Sequence, residues 1–316
     1  MRLSRRLRRV IGIALGCLCA VAAAIWLAGA RAADYGELLA ANVAALESDD
    51  ERVVVERIEL VAANRRLACM LRRPAGPAGR PGSQPRPVLV VAGGFRTGGR
   101  APTLIDPAWP GLMMACDYPW DDYSRLSAPR FIWRLPAIRS EVVATPEVLR
   151  LTADYLLTRP DVEPRCLAAV GASLGVFPVA AWAARDSRPR AVALLYGGAP
   201  LSEVFAANLR RRFENPTTRG AVAAVLARVV APLDAGRTVG LISPRPVLIV
   251  GARGDERIPA LLTDTLFARA REPRRLVWMD GVHLRADADT LLRRLGDTVA
   301  AWLGEVLSGC GSGGRE

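Results

Sequence analysis

Gly171-Ala172-Ser173-Leu174-Gly175 is the stretch of sequence that decides the fold. An apolar run at residues 166–170 precedes it and predicts a buried strand, and the alanine-rich run at residues 176–185 predicts a helix directly after it. A serine between two glycines at such a strand-to-helix reversal is typical of a nucleophile on a strained turn. Residues without bulky side chains let strand and helix approach closely, and the turn exposes the serine Oγ beside the N–H groups that begin the helix.

The composition indicates one large α/β domain. The chain has 316 residues, of which 51% are hydrophobic, so it can bury a sizeable core. The net charge is +12, and all 43 basic residues are arginine, which is typical of a GC-rich bacterial genome. A nucleic-acid interface requires a clustered basic face with interleaved aromatic residues. Because the only tight arginine cluster lies at the N-terminus, we expect no nucleic-acid partner.

The cysteines and the single histidine do not predict a metal site. The six cysteines lack metal-ligand spacing, and one histidine cannot complete a Cys/His zinc site with them. We therefore expect neither a metal nor another cofactor. The four cysteines of the domain and tail could pair in an oxidising compartment, and the sequence does not say whether they do: Cys69, Cys116, Cys166 and Cys310.

The N-terminal segment, residues 1–33, predicts a membrane anchor or a signal segment. Five arginines lie within residues 2–9, and residues 10–30 carry no charge over a length that can cross a bilayer as a helix. This charge pattern predicts a cytoplasmic N-terminus. One alternative is a single-pass inner-membrane anchor with the catalytic domain on the periplasmic or extracellular side. The other is a signal peptide cut after Ala30 or Ala32, which would give a secreted protein. The length of the apolar run favours the anchor.

Residues 34–308 predict a single domain with a mostly parallel central sheet and helices on both faces. Residues 52–60 and 66–72 predict an antiparallel hairpin, and strands then alternate with helices, which implies right-handed crossovers. Residues 34–46 predict a short amphipathic helix or spacer. The arginine-rich helical region at residues 201–240 is a possible lid, and residues 309–316 predict a flexible tail.

The sequence predicts that a nucleophile, a base and an acid lie together at one edge of the sheet. Ser173 needs a base within hydrogen-bond reach, and that base needs an orienting acid. The only histidine, His283, lies in the loop between the last predicted strand and the last helix, and Asp255 follows the preceding strand. Glu256 should point away if Asp255 points in, and Glu203 is the alternative acid.

Two backbone N–H groups are predicted to stabilise the oxyanion that a reacting carbonyl would form. Leu174 follows the nucleophile and supplies the first donor. The second should come from the loop after the strand at residues 88–92, from Phe95 in preference to Gly94.

From residue 52 to residue 307 the chain resembles serine hydrolases of the α/β-hydrolase fold. It is similar to bacterial esterases and to dienelactone-hydrolase-like or prolyl-oligopeptidase-like proteins. The resemblance rests on residues 171–175, on the Gly-x-x-x-Asp-x-x-Ile-Pro pattern at residues 251–259 and on Gly281-Val282-His283. Two departures loosen the subfamily: Ala92 or Gly93 stands where a histidine often precedes the oxyanion glycine, and Ala172 replaces a polar or aromatic residue.

The resemblance implies hydrolysis of a carboxylic ester through a Ser-His-Asp triad and an acyl-enzyme intermediate, without metal or organic cofactor. The substrate would be a small ester or acyl compound, and the membrane would be a partner through the N-terminal helix. A peptidase or an acyltransferase with the same triad remains an alternative. Another alternative is a non-catalytic, membrane-anchored protein that kept the fold.

Overall fold

A computed structural model describes residues 32–46, 50–76, 84–95, 97–104, 109–120, 127–285 and 288–309. The strands are β1 (Leu38–Leu46), β2 (Val53–Ala62), β3 (Arg65–Pro74), β4 (Arg86–Ala92), β5 (Leu112–Cys116), β6 (Val162–Ala172), β7 (Ala191–Leu195), β8 (Val247–Ala252) and β9 (Arg274–Met279). The helices are α1 (Ala128–Val143), α2 (Thr145–Leu156), α3 (Val176–Ala183), α4 (Leu201–Asn208), α5 (Pro216–Val229), α6 (Ala235–Thr238), α7 (Ala260–Arg269) and α8 (Asp289–Val306).

The strands form a mostly parallel sheet in the order β1-β2-β3-β5-β4-β6-β7-β8-β9. Every neighbouring pair from β5 to β9 is parallel, whereas β1, β2 and β3 pair antiparallel with their neighbours. The parallel strands β5 and β7 are buried along their whole length, as expected for strands covered on both faces. All parallel strands end at the same edge, so the loops after β4, β6, β8 and β9 meet there.

Residues 34–46 do not form the predicted helix or spacer. Within them, β1 is an edge strand that pairs antiparallel with β2, from Leu38 opposite Ala62 to Leu46 opposite Val55. The alanine-rich sequence favours a helix by propensity, but the open edge of β2 offers a row of hydrogen-bond partners that outweighs this weak local preference. The predicted β2–β3 hairpin is present.

Helices cover the two faces of the sheet unequally. One face, here called the α3 face, packs against α2, α3, α4 and α7 in the larger hydrophobic cluster. The other, the α8 face, packs among the described residues against α8 and against parts of the segment after β4, including Ala101 and Trp109. A short 3₁₀ helix, Gly98–Leu104, stands in that segment. In the described parts of the chain, the α8 face therefore has less helical cover than the α3 face.

The predicted anchor or signal segment lies outside the described residues except for Ala32 and Ala33, and so does nearly all of the predicted tail. In the part of the chain that the structure describes, no helix combines the length and the apolar composition that crossing a bilayer requires.

Candidate active site

The turn after β6 holds Ser173 in a conformation that side chains rarely adopt. Its φ angle is 54°, in the left-handed region, directly after the extended Ala172. Both flanking glycines are sterically required. A Cβ on Gly171 would lie 2.6 Å from the carbonyl oxygen of Gly175, and one on Gly175 would lie 2.0 Å from that of Ala92. The strained turn therefore depends on close approach of the chain on both sides.

Ser173, His283 and Asp255 form a continuous chain of hydrogen bonds. The Oγ of Ser173 lies 2.8 Å from Nε2 of His283, and Nδ1 of His283 lies 2.7 Å from Oδ2 of Asp255. Asp255 and His283 are each only 5% exposed, which protects the bond between them from competing water. The structure thus brings together the three side chains predicted from sequence, from the loops after β6, β8 and β9.

The backbone of the loop after β8 fixes the Asp255 carboxylate. Its Oδ1 accepts hydrogen bonds from the backbone N–H groups of Arg257 and Ile258, both at 2.8 Å. These bonds leave Oδ2 directed at the imidazole. Glu203, the alternative acid, is exposed on α4, and it is Asp255 that bonds the ring.

The sequence predicts that Glu256 points away when Asp255 points in, but the Glu256 side chain contacts the loop that carries His283. Its Oε2 accepts a hydrogen bond from the backbone N–H of His283 at 3.1 Å, while the imidazole itself is left to Asp255. Hydrogen bonds from its own backbone N–H and from that of His283 lower the pKa of the Glu256 carboxyl below its usual value. The charged carboxylate thereby links the loop of Asp255 to the loop of His283.

The loop after β4 lies against Ser173. A Cβ on Gly94 would be 3.8 Å from the Cβ of Ser173. The Gly94 carbonyl accepts hydrogen bonds from the backbone N–H groups of Thr97 and Gly98, so it points into its own turn. Because a trans peptide directs its N–H opposite to its C=O, the Phe95 N–H points to the other side of this peptide. Leu174, the other predicted donor, occupies the first position after Ser173, in the 3₁₀ turn Ser173–Gly175.

Tyr196 is a neighbour of the site that the sequence analysis missed. It follows β7 with a φ of 59°, is completely buried, and contacts the His283 imidazole edge to face at a ring distance of 5.9 Å. Burial, and next the charge of Asp255, raise the pKa of its hydroxyl to about 12. Its position at the same edge of the sheet, before Gly197-Gly198, was the available signal.

A cavity of about 770 Å³ opens beside Ser173. Ser173, His283 and Phe95 line it, together with apolar side chains of β4, β6 and α8. The volume falls within the range of about 300–1,000 Å³ that is usual for small-molecule sites. None of residues 201–240, the predicted lid, is among the described residues that line this cavity. That segment instead contacts the loop that carries Asp255, where Nδ2 of Asn208 donates a hydrogen bond to the Arg257 carbonyl at 2.9 Å. The role of residues 201–240 as a lid stays a prediction.

Among the described residues, no group of three or more histidine, cysteine, aspartate or glutamate side chains is arranged to hold a metal ion.

Comparisons with known proteins reveal similarity at the level of the fold. No protein-family model and no curated protein matches the sequence. Among solved structures, an acetyl xylan esterase from Paenibacillus sp. R4 is 16% identical, with a TM-score of 0.56 over 82% of this chain and 89% of its own. A cold-adapted esterase from an Arctic intertidal metagenomic library is 18% identical, with a TM-score of 0.54 over 84% and 100% of the two chains. The alpha/beta hydrolase GrgF from Penicillium sp. sh18 is 15% identical, with a TM-score of 0.51 over 85% and 100%. At these sequence identities the similarity does not identify a substrate, but it does identify the architecture: the chain has the α/β-hydrolase fold.

Proposed function

We propose that the protein is a serine hydrolase that cleaves a carboxylic ester through an acyl-enzyme intermediate. The observation that carries the proposal is the unbroken line of hydrogen bonds from Ser173 through His283 to Asp255, with distances of 2.8 and 2.7 Å. A hydroxyl, an imidazole and a buried carboxylate in this order are the elements of an activated serine nucleophile. The esterase structures that share the fold agree with this assignment.

In the first half of the reaction, Ser173 Oγ attacks the ester carbonyl carbon and its proton passes to Nε2 of His283. Asp255 accepts the Nδ1–H, so the neutral ring presents an unprotonated Nε2 to the serine and its protonated form is stabilised. Collapse of the tetrahedral intermediate breaks the bond to the alcohol, which leaves with the proton from His283.

In the second half, water attacks the acyl-serine carbonyl while His283 takes its proton. The acid then departs as the proton returns to Ser173 Oγ, which restores the free enzyme. The backbone N–H groups of Leu174 and Phe95 would donate to the carbonyl oxygen as negative charge develops on it. One such donor is typically worth about 3–4 kcal/mol of barrier.

The proposal also places the catalytic domain outside the cytoplasm, tethered by residues 1–33 or released after their cleavage. Cys69 and Cys116 form a disulfide, and disulfides persist mainly in oxidising compartments. The arginine-rich start followed by an uncharged run agrees with export. N-terminal sequencing of the protein from its native membrane or culture medium distinguishes an anchor from a cleaved signal.

Labelling with a fluorophosphonate probe and hydrolysis of p-nitrophenyl acetate test the proposal. We expect the wild-type protein to label and turn over, and Ser173→Ala to lose labelling and about 10⁴–10⁶-fold in kcat at an unchanged Tm. A folded wild-type protein that neither labels nor hydrolyses esters would exclude it. Faster cleavage of peptide anilides than of esters would instead indicate a peptidase. Transfer of the acyl group to an added alcohol in preference to water would indicate an acyltransferase.

A further inference from the structure

The cavity beside Ser173 extends well beyond the space that a small acyl group needs. On its inner side it is lined by side chains of the sheet, including Leu89, Val91 and Val170. On its outer side it is lined by α8, from Leu292 to Leu303. The space exists because little besides α8 covers this face of the sheet among the described residues.

The lining residues of α8 give a length for this cavity. The α8 residues that line it, Leu292 to Leu303, are eleven positions apart, which corresponds to about 16 Å along a helix. On the opposite wall, the lining includes Leu89 and Val91 of β4 and continues into the loop after that strand with Gly93, Gly94 and Phe95. Since an extended chain advances about 3.8 Å in three bonds, 16 Å accommodates roughly a dozen bonds.

The charges on the cavity lie at its open side. The charged residues that line it, among those the structure describes, are all exposed to solvent: Glu256, Arg257, Arg285 and Asp297. Deeper in, the lining of β4, β6 and α8 is aliphatic, with Leu89, Val91 and Val299 almost completely buried. An apolar chain fits such walls, whereas a sugar would leave its hydroxyl groups without partners there.

The position of His283 indicates which part of an ester occupies the cavity. His283 protonates the departing alcohol, and it stands beside the exposed lining residues Glu256, which accepts its backbone N–H, and Arg285. The alcohol side of the ester therefore lies towards the open side of the cavity. Ala172 and Val170, on the strand that carries Ser173, line the cavity beneath the nucleophile. The acyl side of the ester therefore has the direct route inward.

We propose that this cavity binds the acyl chain of the substrate, an unbranched apolar chain of about ten to twelve carbons. The inference rests on the proposed ester hydrolase activity and specifies its substrate class. Each methylene that enters the cavity contributes about the transfer free energy of one buried CH₂, which corresponds to about a fourfold gain in kcat/KM.

The test is a series of p-nitrophenyl esters from acetate through hexanoate and decanoate to hexadecanoate. We expect kcat/KM to rise up to decanoate and to fall at hexadecanoate, whose chain exceeds the cavity. Ala300 lines the cavity, whereas the adjacent Ala301 on α8 is exposed. Ala300→Phe should lower the decanoate-to-acetate ratio of kcat/KM about tenfold or more, because the ring occupies space that the chain needs. Ala301→Phe should leave that ratio unchanged.

A second pair of substrates separates the two ends of the ester. We expect ethyl decanoate to be hydrolysed faster than decyl acetate, and the reverse order would overturn the assignment of the cavity to the acyl chain. A flat chain-length profile, or an equal effect of Ala300→Phe and Ala301→Phe on the ratio, would also overturn it while leaving the hydrolase activity in place.

Binding to the inactive protein keeps the inference separate from the reaction. Ser173→Ala should bind a dansyl-labelled undecanoic acid that decanoic acid displaces, and Ala300→Phe in the same background should weaken this binding. If no ester is hydrolysed but the fatty acid binds in this way, the proposed function fails and the apolar pocket stands. If the fatty acid does not bind to a folded Ser173→Ala protein, the pocket assignment fails.

Discussion

Asp255 uses its two carboxylate oxygens for different tasks. One oxygen accepts two backbone N–H groups of its own loop, and the other accepts the imidazole N–H of His283. A carboxylate only accepts hydrogen bonds, so it suits three donors at once. An amide at this position must direct its own N–H₂ group either at the backbone donors or at the imidazole. In both cases the N–H₂ group would face another hydrogen-bond donor, and that contact would be lost.

We therefore expect Asp255→Asn to lower kcat by about 10³–10⁴-fold, because the imidazole loses the acceptor that fixes its tautomer. Glu203→Gln, which alters the exposed alternative acid, should leave kcat unchanged. Steady-state kinetics of both variants on p-nitrophenyl hexanoate measure this. The reverse pattern would assign the acid to Glu203.

Tyr196 presents a buried hydroxyl beside the site. Among the described residues this hydroxyl has no hydrogen-bond partner, although the ring is completely buried against His283. A buried polar group without a partner reduces stability, by about 1–3 kcal/mol where a partner has been removed. Tyr196→Phe keeps the ring, so we expect unchanged kcat and an equal or higher free energy of unfolding at pH 7.

The pH dependence of stability gives the same variant a second readout. The folded-state pKa of Tyr196 is raised from near 10 to about 12, so its neutral form is favoured by folding. The contribution of this pKa difference to the free energy of unfolding is fully present below pH 10 and is lost as the pH rises towards 12. Wild type should therefore lose more stability than Tyr196→Phe between pH 10 and 12 in urea titrations. Parallel pH curves for the two proteins would contradict this assignment.

At the scale of elements, the turn that holds Ser173 connects β6 closely to β4. Gly175 packs so closely on the Ala92 carbonyl that a Cβ would lie 2.0 Å away, and backbone cannot yield as the end of a side chain can. Gly175→Ala must therefore separate β4 from the turn that holds Ser173. Gly304, on α8, has no atom within 4 Å of its Cβ position and offers a matched control.

We expect Gly175→Ala to lower the free energy of unfolding by about 2–4 kcal/mol, and to reduce fluorophosphonate labelling of the folded fraction, because both the packing and the turn shift. Gly304→Ala should raise the free energy of unfolding by about 0.5–1 kcal/mol, since it improves helix propensity without a clash. Chemical denaturation monitored by circular dichroism compares the two. Equal effects would show that the close approach at Gly175 is not required.

The sequence predicts features that have a local pattern. It also predicts residues that follow parallel strands, because the carboxyl ends of those strands meet at one edge of the sheet. Ser173 and Asp255 were found because a strained turn and an acidic loop after a strand have short sequence patterns. β1 was not found, since only the open edge of β2 makes its alanine-rich segment a strand. Tyr196 and the cavity were also missed, because a ring contact and a space between the sheet and α8 depend on how distant elements pack.

At the scale of the whole molecule, one disulfide joins the antiparallel and parallel parts of the sheet. Cys69 on β3 and Cys116 on β5 are directly opposite each other in the antiparallel register, at the boundary between the two parts. Sequence alone left the pairing of the cysteines open. The bond closes a long loop, since its two cysteines are 47 positions apart in the sequence, and it therefore restricts the unfolded chain.

Removing this disulfide should destabilise the molecule without altering the chemistry of the site. We expect Cys69→Ala/Cys116→Ala to lower the free energy of unfolding by about 2–4 kcal/mol. The value of kcat should stay unchanged, because the disulfide joins β3 to β5 and neither cysteine lies in the loops after β6, β8 and β9 that carry Ser173, Asp255 and His283. Dithiothreitol should lower the stability of the wild type to a similar extent and leave the double variant unaffected. That comparison separates loss of the cross-link from loss of side-chain packing. If dithiothreitol changes neither protein while a thiol assay shows that the wild-type cysteines have become reduced, the bond does not stabilise the fold.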